Sequence, residues 1–207
     1  MPHPPSADDL DFALATGLRP QADGATFDTA IHPLWTVGDK PNGGYLLALL
    51  GGAACQVAAG LAAGAKTAGA EAPGPDVVSA AVTYLRPPDL GPATIRTTVL
   101  RQGRTAHHVR GVLVQDGADL VDAVFVTGEV PPAGPARYDA VRPLHIPAPE
   151  DCVRLPAQVP GGVRVGIMEA TELRLDPATL PFAPRPPSDG SPVAELRGWV
   201  RFADGRA

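Results

Sequence analysis

A long run without charged side chains covers residues 43–65 and follows a Pro-Asn-Gly-Gly turn at residues 41–44. The run is mostly Ala and Gly, with Leu at five positions. Its length would allow it to cross a bilayer, but so many small residues give only a weak transfer free energy. We therefore predict a soluble helix that is buried in a protein core, where its small residues let other backbone segments approach closely.

Strand-like patterns lie on both sides of this helix. Before it, residues 25–35 predict a strand, and residues 6–15 predict a short amphipathic helix that Ser6 could cap. After it, four segments have the β-branched content or the alternation of a strand, at residues 77–85, 93–101, 105–115 and 119–130. Asp116-Gly117 is the strongest hairpin signal among the turns that separate them. The prediction is an α+β unit whose long central helix precedes an antiparallel meander of four strands.

The periodic pattern stops after residue 130. Residues 131–162 are rich in proline and predict an extended linker. Residues 163–177 and 193–205 are again strand-like, with a proline-rich loop between them. We therefore predict an N-terminal unit at residues 1–130, a linker at 131–162, and the start of a second, incomplete unit at 163–207.

Composition and charge narrow the classes of function. The chain has 17 basic and 22 acidic side chains and a net charge of −5, so a basic surface for nucleic acid is not expected. The N-terminus has no basic segment followed by an apolar one, which argues against a signal peptide. Cys55 and Cys152 are too few for a disulfide scaffold or a cysteine-only zinc site. We expect reduced thiols, a cytoplasmic location, no membrane span, no metal and no cofactor.

Three segments together carry a family resemblance. They are GDKPNGGYLLALLGGAACQ at residues 38–56, VVSAAVTYLRPPDLGPATIRTTVLRQGRTAHHVRGVLVQDGADLVDAVF at 77–125, and ELRGWVRFADG at 195–205. These segments resemble the acyl-CoA thioesterases of the double-hotdog type, the TesB-like group. The resemblance covers about residues 25–205. It implies a long helix lying in the concave face of a bent antiparallel sheet, and hydrolysis of acyl-CoA to a free acid and CoA. Because hotdogs pair to cover a sheet edge, a homodimer is expected.

The turn before the helix is the first candidate for substrate binding. Thioester hydrolysis places negative charge on the carbonyl oxygen, and the N–H groups at a helix N-terminus are fixed donors to such an oxygen. Gly43 and Gly44 would let the thioester approach the backbone, and Asn42 could cap the helix or contact the carbonyl. The alternative is that the same residues only form a tight turn between strand and helix.

Arg101 and Arg104 are the second candidate for substrate binding. They flank the Gln102-Gly103 turn, where the resemblance implies that the phosphates and pantetheine of CoA bind, and guanidinium groups suit phosphate oxygens. A solvated hairpin tip is the alternative.

His107 and His108 point to opposite faces of a predicted strand, and the sequence supplies no further ligands for a metal site.

No catalytic residue can be assigned from the sequence. Simple hotdog thioesterases commonly carry a carboxylate about two turns into the helix, but Gly51 and Gly52 occupy that region here, and no acid occurs between Asp39 and Glu71. In the TesB-like group an acid, an amide and a hydroxyl residue come from the second hotdog, which would place them after Ala207. Two functions stay open: a thioesterase that is active when the second hotdog is complete, and a non-catalytic acyl-CoA-binding or structural hotdog.

Overall fold

The computed structural model describes residues 10–63, 74–130, 134, 140, 144–158, 162–180 and 195–204. The first element is a single helical turn, whose N-cap is Asp11 because its carboxylate accepts from the N–H groups of Ala13 and Leu14. Ser6, the predicted cap, lies outside the described residues. The helices and strands in chain order are α1 (Phe12–Ala15), β1 (Arg19–Pro20), β2 (Thr26–Ile31), β3 (Thr36–Val37), β4 (Lys40–Pro41), α2 (Gly43–Ala63), β5 (Asp76–Tyr84), β6 (Gly91–Gln102), β7 (Ala106–Gln115), β8 (Ala118–Gly128), β9 (Val153–Arg154), α3 (Ile167–Ala170), β10 (Thr171–Leu175) and β11 (Gly198–Phe202).

A six-stranded antiparallel sheet wraps the long helix α2. Its strands lie in the order β1-β2-β6-β7-β8-β5, and α2 packs against β5, β6, β7 and β8. This arrangement confirms the predicted α+β hotdog. Residues 64 and 65 of the predicted helix lie outside the described residues.

The helix is held by close packing of small and large side chains. Leu49, Leu50, Ala53 and Ala54 have no exposed surface, and a methyl group added to Gly111 of β7 would lie only 3.2 Å from the Leu50 side chain. By length and composition alone, Gly43–Ala62 could cross a membrane, with a mean hydropathy of 1.7. In this fold the same stretch is the core helix of the hotdog.

The position of β5 differs from the predicted meander. Only β6, β7 and β8 are connected as neighbours, whereas β5 pairs with β8 and forms an edge of the sheet. The chain therefore crosses the end of the sheet between β5 and β6. Gln115 holds this crossing, since its amide contacts the backbone N–H and carbonyl of Asp89 and the carbonyl of Pro92. The predicted four-strand meander placed β5 beside β6, and this was wrong because β5 pairs with β8 instead. The hydrogen bonds of Gln115 that hold the crossing join residues far apart in the sequence, so no local pattern indicated it.

The C-terminal residues form a small sheet in the order β11-β10-β9. Residues 163–177, predicted to be a strand, contain the short helix α3 followed by β10. Glu172 of β10 accepts hydrogen bonds from Arg201 and Arg174, which lower the pKa of its carboxyl to about 2. β9 lies within the predicted linker, of which residues 131–133, 135–139, 141–143 and 159–161 are outside the described residues.

An aromatic cluster joins the small sheet to the hotdog. The ring of Phe12 lies 4.8 Å from that of Trp35 and 5.2 Å from that of Phe202, measured between centroids. Trp35 also stacks on Tyr45 in the first turn of α2, at 5.9 Å. The chain's C-terminal strands therefore pack against the segment that leads into α2.

Candidate functional site

The β3–β4 hairpin leads directly into the start of α2. Gly38 turns this hairpin with a positive φ of 64°, a conformation that favours glycine. The Asn42 N–H then donates to the carbonyl of Trp35 at 2.8 Å. Because the Trp35 ring is almost fully buried, the backbone before the helix is anchored to the core.

Asn42 is the N-cap of α2. Its side-chain Oδ1 accepts from the N–H of Tyr45 at 3.2 Å, and its carbonyl accepts from Leu46 at 3.1 Å. Of the two sequence alternatives for this side chain, the structure therefore shows capping. An N-cap of this kind typically stabilises a helix by about 1 kcal/mol.

The next two N–H groups have no acceptor within the helix. The first turn of any α-helix leaves its N–H groups without intrahelical partners, and the Asn42 side chain takes only that of Tyr45. Gly43 is half-buried and Gly44 is exposed. The helix dipole adds about half a positive charge at this end, so the turn can hold an oxyanion or a carbonyl oxygen.

Tyr84 is a site residue that the sequence reasoning missed. Its hydroxyl donates to the carbonyl of Gly43 at 2.7 Å, which brings the end of the edge strand β5 onto the first turn of α2. Burial raises the pKa of the Tyr84 phenol. The only sequence signal was an aromatic residue at the end of a predicted strand, just before Arg86 and two prolines.

Arg101 and Arg104 lie at the other end of the sheet. Tyr84, which contacts the start of α2, pairs with Val121 of β8, and Val121 pairs with Leu113 of β7. The start of α2 therefore lies level with Leu113. Gln102 pairs with His107, six residues further along β7 and hence about 20 Å away. Within one hotdog, the structure does not bring the two arginines together with residues 42–44.

Three acids outside α2, Asp39, Asp122 and Asp204, could also be considered as a general base. No acid lies in the first turn of α2. Asp122 is between two buried residues of β8 and projects from the outer face, where Arg110 binds it and lowers the pKa of its carboxyl. Asp39 is exposed and pairs with Lys40 at 3.8 Å, and Asp204 lies in the turn after β11.

The described residues also offer no activated cysteine or metal cluster. Burial, and then the charge of Asp76, raises the pKa of the Cys55 thiol, which disfavours a nucleophilic thiolate. His107 lies on the helix side of β7, as Val109 does, and its Nδ1 is buried without a hydrogen-bond partner among the residues described. Across the same ranges, no group of three His, Cys, Asp or Glu side chains could hold a metal ion.

Comparison with a protein-family profile supports the hotdog assignment. The profile of the acyl-CoA thioesterase N-terminal domain matches residues 31–128, which run from the end of β2 to the end of β8. This range contains the capped start of α2, Tyr84 and the hairpin with Arg101 and Arg104. Among curated proteins, none matches the chain.

Solved structures share the fold over most of this chain. A Thermobifida fusca protein named as a thioesterase II is 25% identical, with a TM-score of 0.71 over 93% of this chain and 63% of its own. A hotdog protein of unknown function from Alicyclobacillus acidocaldarius is 22% identical, with a TM-score of 0.61 over 93% of this chain and 62% of its own. The tesB protein of Mycobacterium avium subspecies paratuberculosis is 19% identical, with a TM-score of 0.52 over 80% of this chain and 59% of its own. The chain thus spans 59–63% of the length of these three structures.

Proposed function

We propose that the chain, whose residues 31–128 match the acyl-CoA thioesterase N-terminal domain, binds acyl-CoA and, when a second hotdog is complete beside the first, hydrolyses it to a free acid and CoA. The observation that carries this proposal is the N-terminus of α2. Asn42 caps the helix there, and the N–H groups of Gly43 and Gly44 have no acceptor in the helix.

The chemical role of this turn is to stabilise negative charge. Water adds to the thioester carbon, the carbonyl oxygen becomes an oxyanion, and the C–S bond then breaks so that the CoA sulfur leaves and takes up a proton. Donors that are fixed before the reaction stabilise the oxyanion without reorganisation, and the loss of one such donor typically costs ~10²–10³-fold in rate. Gly43 and Gly44 can supply two of them.

The water-activating base must come from outside the turn. In the described part of the chain, α2 carries no acid and Asp122 is bound by Arg110 on the outer face. We propose that the base belongs to the second hotdog. General-base assistance of this kind typically contributes ~10²–10⁴-fold to a rate.

The edge strand β5 is the surface on which we place a second copy of this chain, distinct from the unit that begins at residue 163. β5 is the last strand of the sheet, and its apolar side chains are exposed, with Val78 at 60%. An unpaired edge of this kind is normally covered. We propose a homodimer, which light scattering at micromolar concentration tests: a mass of one chain would contradict it.

Pairing along β5 would also reconcile the two candidate binding regions. If two β5 strands pair antiparallel around a twofold axis, the Tyr84 end of one unit lies beside the Asp76 end of the other. Asp76 is level with Gly128 at the end of β8, and Gly128 pairs with Ala106, which directly follows the β6–β7 turn that contains Arg104. The hairpin arginines of one unit would then lie on the side from which a CoA phosphate approaches the turn of the other.

A non-catalytic acyl-CoA-binding hotdog is the second candidate function. The observation that favours it is again the lack of an acid in the first turn of α2, which supplies donors for a carbonyl. Such a protein would bind acyl-CoA through Gly43 and Gly44 and release it unchanged.

Turnover of an acyl-CoA, followed by thiol release, separates the two functions. We expect weak or absent hydrolysis by these 207 residues, and a rate ~10²–10⁴-fold higher in a longer chain with a complete second hotdog. Equal, substantial rates would place the base inside the present sequence. Binding without turnover in both chains would favour the non-catalytic function.

We also propose the organisation and location that the sequence suggests. The hotdog at residues 1–130 would be joined by the segment at 131–162 to a second unit at 163–207. β9 lies in that joining segment but would belong to the sheet of the second unit, because it pairs with β10. A reducing, cytoplasmic compartment is supported by two free cysteines, Cys55 and Cys152.

A further inference from the structure

Tyr84 contacts the first turn of α2 through both its hydroxyl and its ring. The hydroxyl donates to the Gly43 carbonyl at 2.7 Å. The ring lies so close that a Cβ added to Gly43 would be 3.1 Å from the Tyr84 Cζ and Oη atoms. Tyr84 itself is 48% exposed at the edge of the sheet. A side chain from a distant strand thus covers one face of the turn and leaves the other accessible.

The contacted carbonyl is one half of the peptide group that includes the Gly44 N–H. Because a peptide group is planar, a hydrogen bond that fixes the carbonyl of Gly43 also fixes the direction of this N–H. It also strengthens the N–H as a donor, because linked hydrogen bonds polarise one another. Two successive glycines restrict their own backbone little, so the Tyr84 hydrogen bond adds to the helical bonds that hold this peptide group in one direction.

From this geometry we infer that Tyr84 is a positioning residue for the acyl carbonyl: its hydroxyl holds the Gly43-Gly44 peptide group so that the Gly44 N–H donates to the carbonyl oxygen of bound acyl-CoA. This inference rests on the proposed function. The raised pKa of Tyr84 also keeps its hydroxyl protonated, and so able to donate, near neutral pH.

Tyr84→Phe tests the inference, because it removes the hydroxyl and keeps the ring against Gly43. The matched control is Thr83→Val, which removes a hydroxyl from the preceding, exposed position of the same strand. The probe is an acyl-CoA analogue whose thioester is replaced by a ketone, so that it keeps the carbonyl and cannot be hydrolysed. CoA itself, which has no acyl carbonyl, serves as the reference ligand.

Two results are expected. In the ligand-free protein, the amide ¹⁵N resonance of Gly44 shifts in Tyr84→Phe and stays in place in Thr83→Val. The affinity for the ketone analogue falls about 2- to 10-fold in Tyr84→Phe, the size of effect that one neutral hydrogen bond typically has. The affinity for CoA stays the same, which a general loss of structure would not allow.

The contrary outcomes are distinct. An unmoved Gly44 resonance in Tyr84→Phe would overturn the contact itself, whether or not the protein binds any ligand. A shifted resonance with unchanged affinity for the ketone analogue would overturn the positioning role. If the wild-type chain binds neither the analogue nor CoA, the proposed function fails and the positioning role fails with it. The Gly44 resonance still tests the hydrogen bond between Tyr84 and Gly43 in that case.

Discussion

The two ends of the hotdog sheet carry the two groups of residues that we propose bind acyl-CoA, and these groups differ in their chemistry. At the N-terminal end, Asn42, Gly43 and Gly44 form a capped turn that Tyr84 covers from the edge strand. At the opposite end of the sheet, Arg101 and Arg104 carry positive charge on an exposed hairpin. The first end offers fixed backbone dipoles for a small oxygen atom, and the second offers long side chains for phosphates.

This difference has an energetic consequence. Fixed donors at the helix start stabilise charge that develops during a reaction, whereas exposed guanidinium groups contribute modestly and are screened by salt. We therefore expect substitutions at the helix start to have large effects that depend on the carbonyl. Substitutions at the hairpin should have small effects that depend on ionic strength.

Gly44→Val should have the largest effect. A Cβ at this position would lie 3.1 Å from the Oδ1 of Asn42, and the branched side chain would fill the space that the carbonyl oxygen needs. We expect the loss of turnover, or of ketone-analogue binding, to be about 10²-fold or more, as for removal of an oxyanion donor. Circular dichroism on the same sample checks that the fold is retained.

The control for this substitution is Gly60→Val. Gly60 lies in the same helix and has nothing within 4 Å of an added Cβ, so binding should be unchanged. If Gly44→Val unfolds the protein while Gly60→Val does not, the Asn42–Gly44 segment is a structural turn. In that case the helix start would not bind the carbonyl, and the two ends of the sheet would not differ in the way proposed.

Replacing both hairpin arginines, Arg101→Ala with Arg104→Ala, should weaken CoA binding about tenfold at low salt. Each exposed charge pair is worth at most about 1 kcal/mol, and the loss should vanish as added salt screens the phosphates. Isothermal titration at two ionic strengths measures both effects. Arg96→Ala is the control, because Arg96 is an exposed residue of the same strand that pairs with Asp119. Equal affinity in the double variant would identify a merely solvated hairpin.

Asp122→Asn should have the smallest effect, with turnover unchanged and the folded state slightly less stable. The ion pair with Arg110 lowers the pKa of Asp122 below its unfolded value, so its stabilisation is present above about pH 4 and is lost as the pH falls through the lower, folded pKa. Thermal unfolding should therefore show a difference from wild type at pH 7 that shrinks below pH 4. A loss of turnover instead would mean that Asp122 serves as the base.

The elements with local signals could be predicted from the sequence. The start of α2 follows from the Pro-Asn-Gly-Gly turn, and Asn42 caps the helix as one of the alternatives proposed. The β7–β8 hairpin follows from Asp116-Gly117, where both residues have the positive φ that such turns require. In each case a few neighbouring residues determine the backbone conformation.

The features that depend on distant contacts could not be predicted. β5 lies next to β8, and the chain then crosses the end of the sheet to β6, where the Gln115 amide donates to the carbonyls of Asp89 and Pro92. No pattern within β5 itself indicates that crossing. Tyr84 reaches a carbonyl 41 positions earlier in the chain. The positions of Arg101 and Arg104 relative to the turn likewise follow from the register of several strand pairs.

The aromatic cluster around Trp35 has a consequence for synthesis on the ribosome. Phe202 belongs to the last described strand, yet it packs on Phe12 and Trp35 near the beginning of the chain. At ~5–20 residues per second, many seconds pass between the emergence of Trp35 and that of Phe202. During that interval the rings of Phe12 and Trp35 lack their Phe202 partner, so the aromatic cluster closes only late in synthesis.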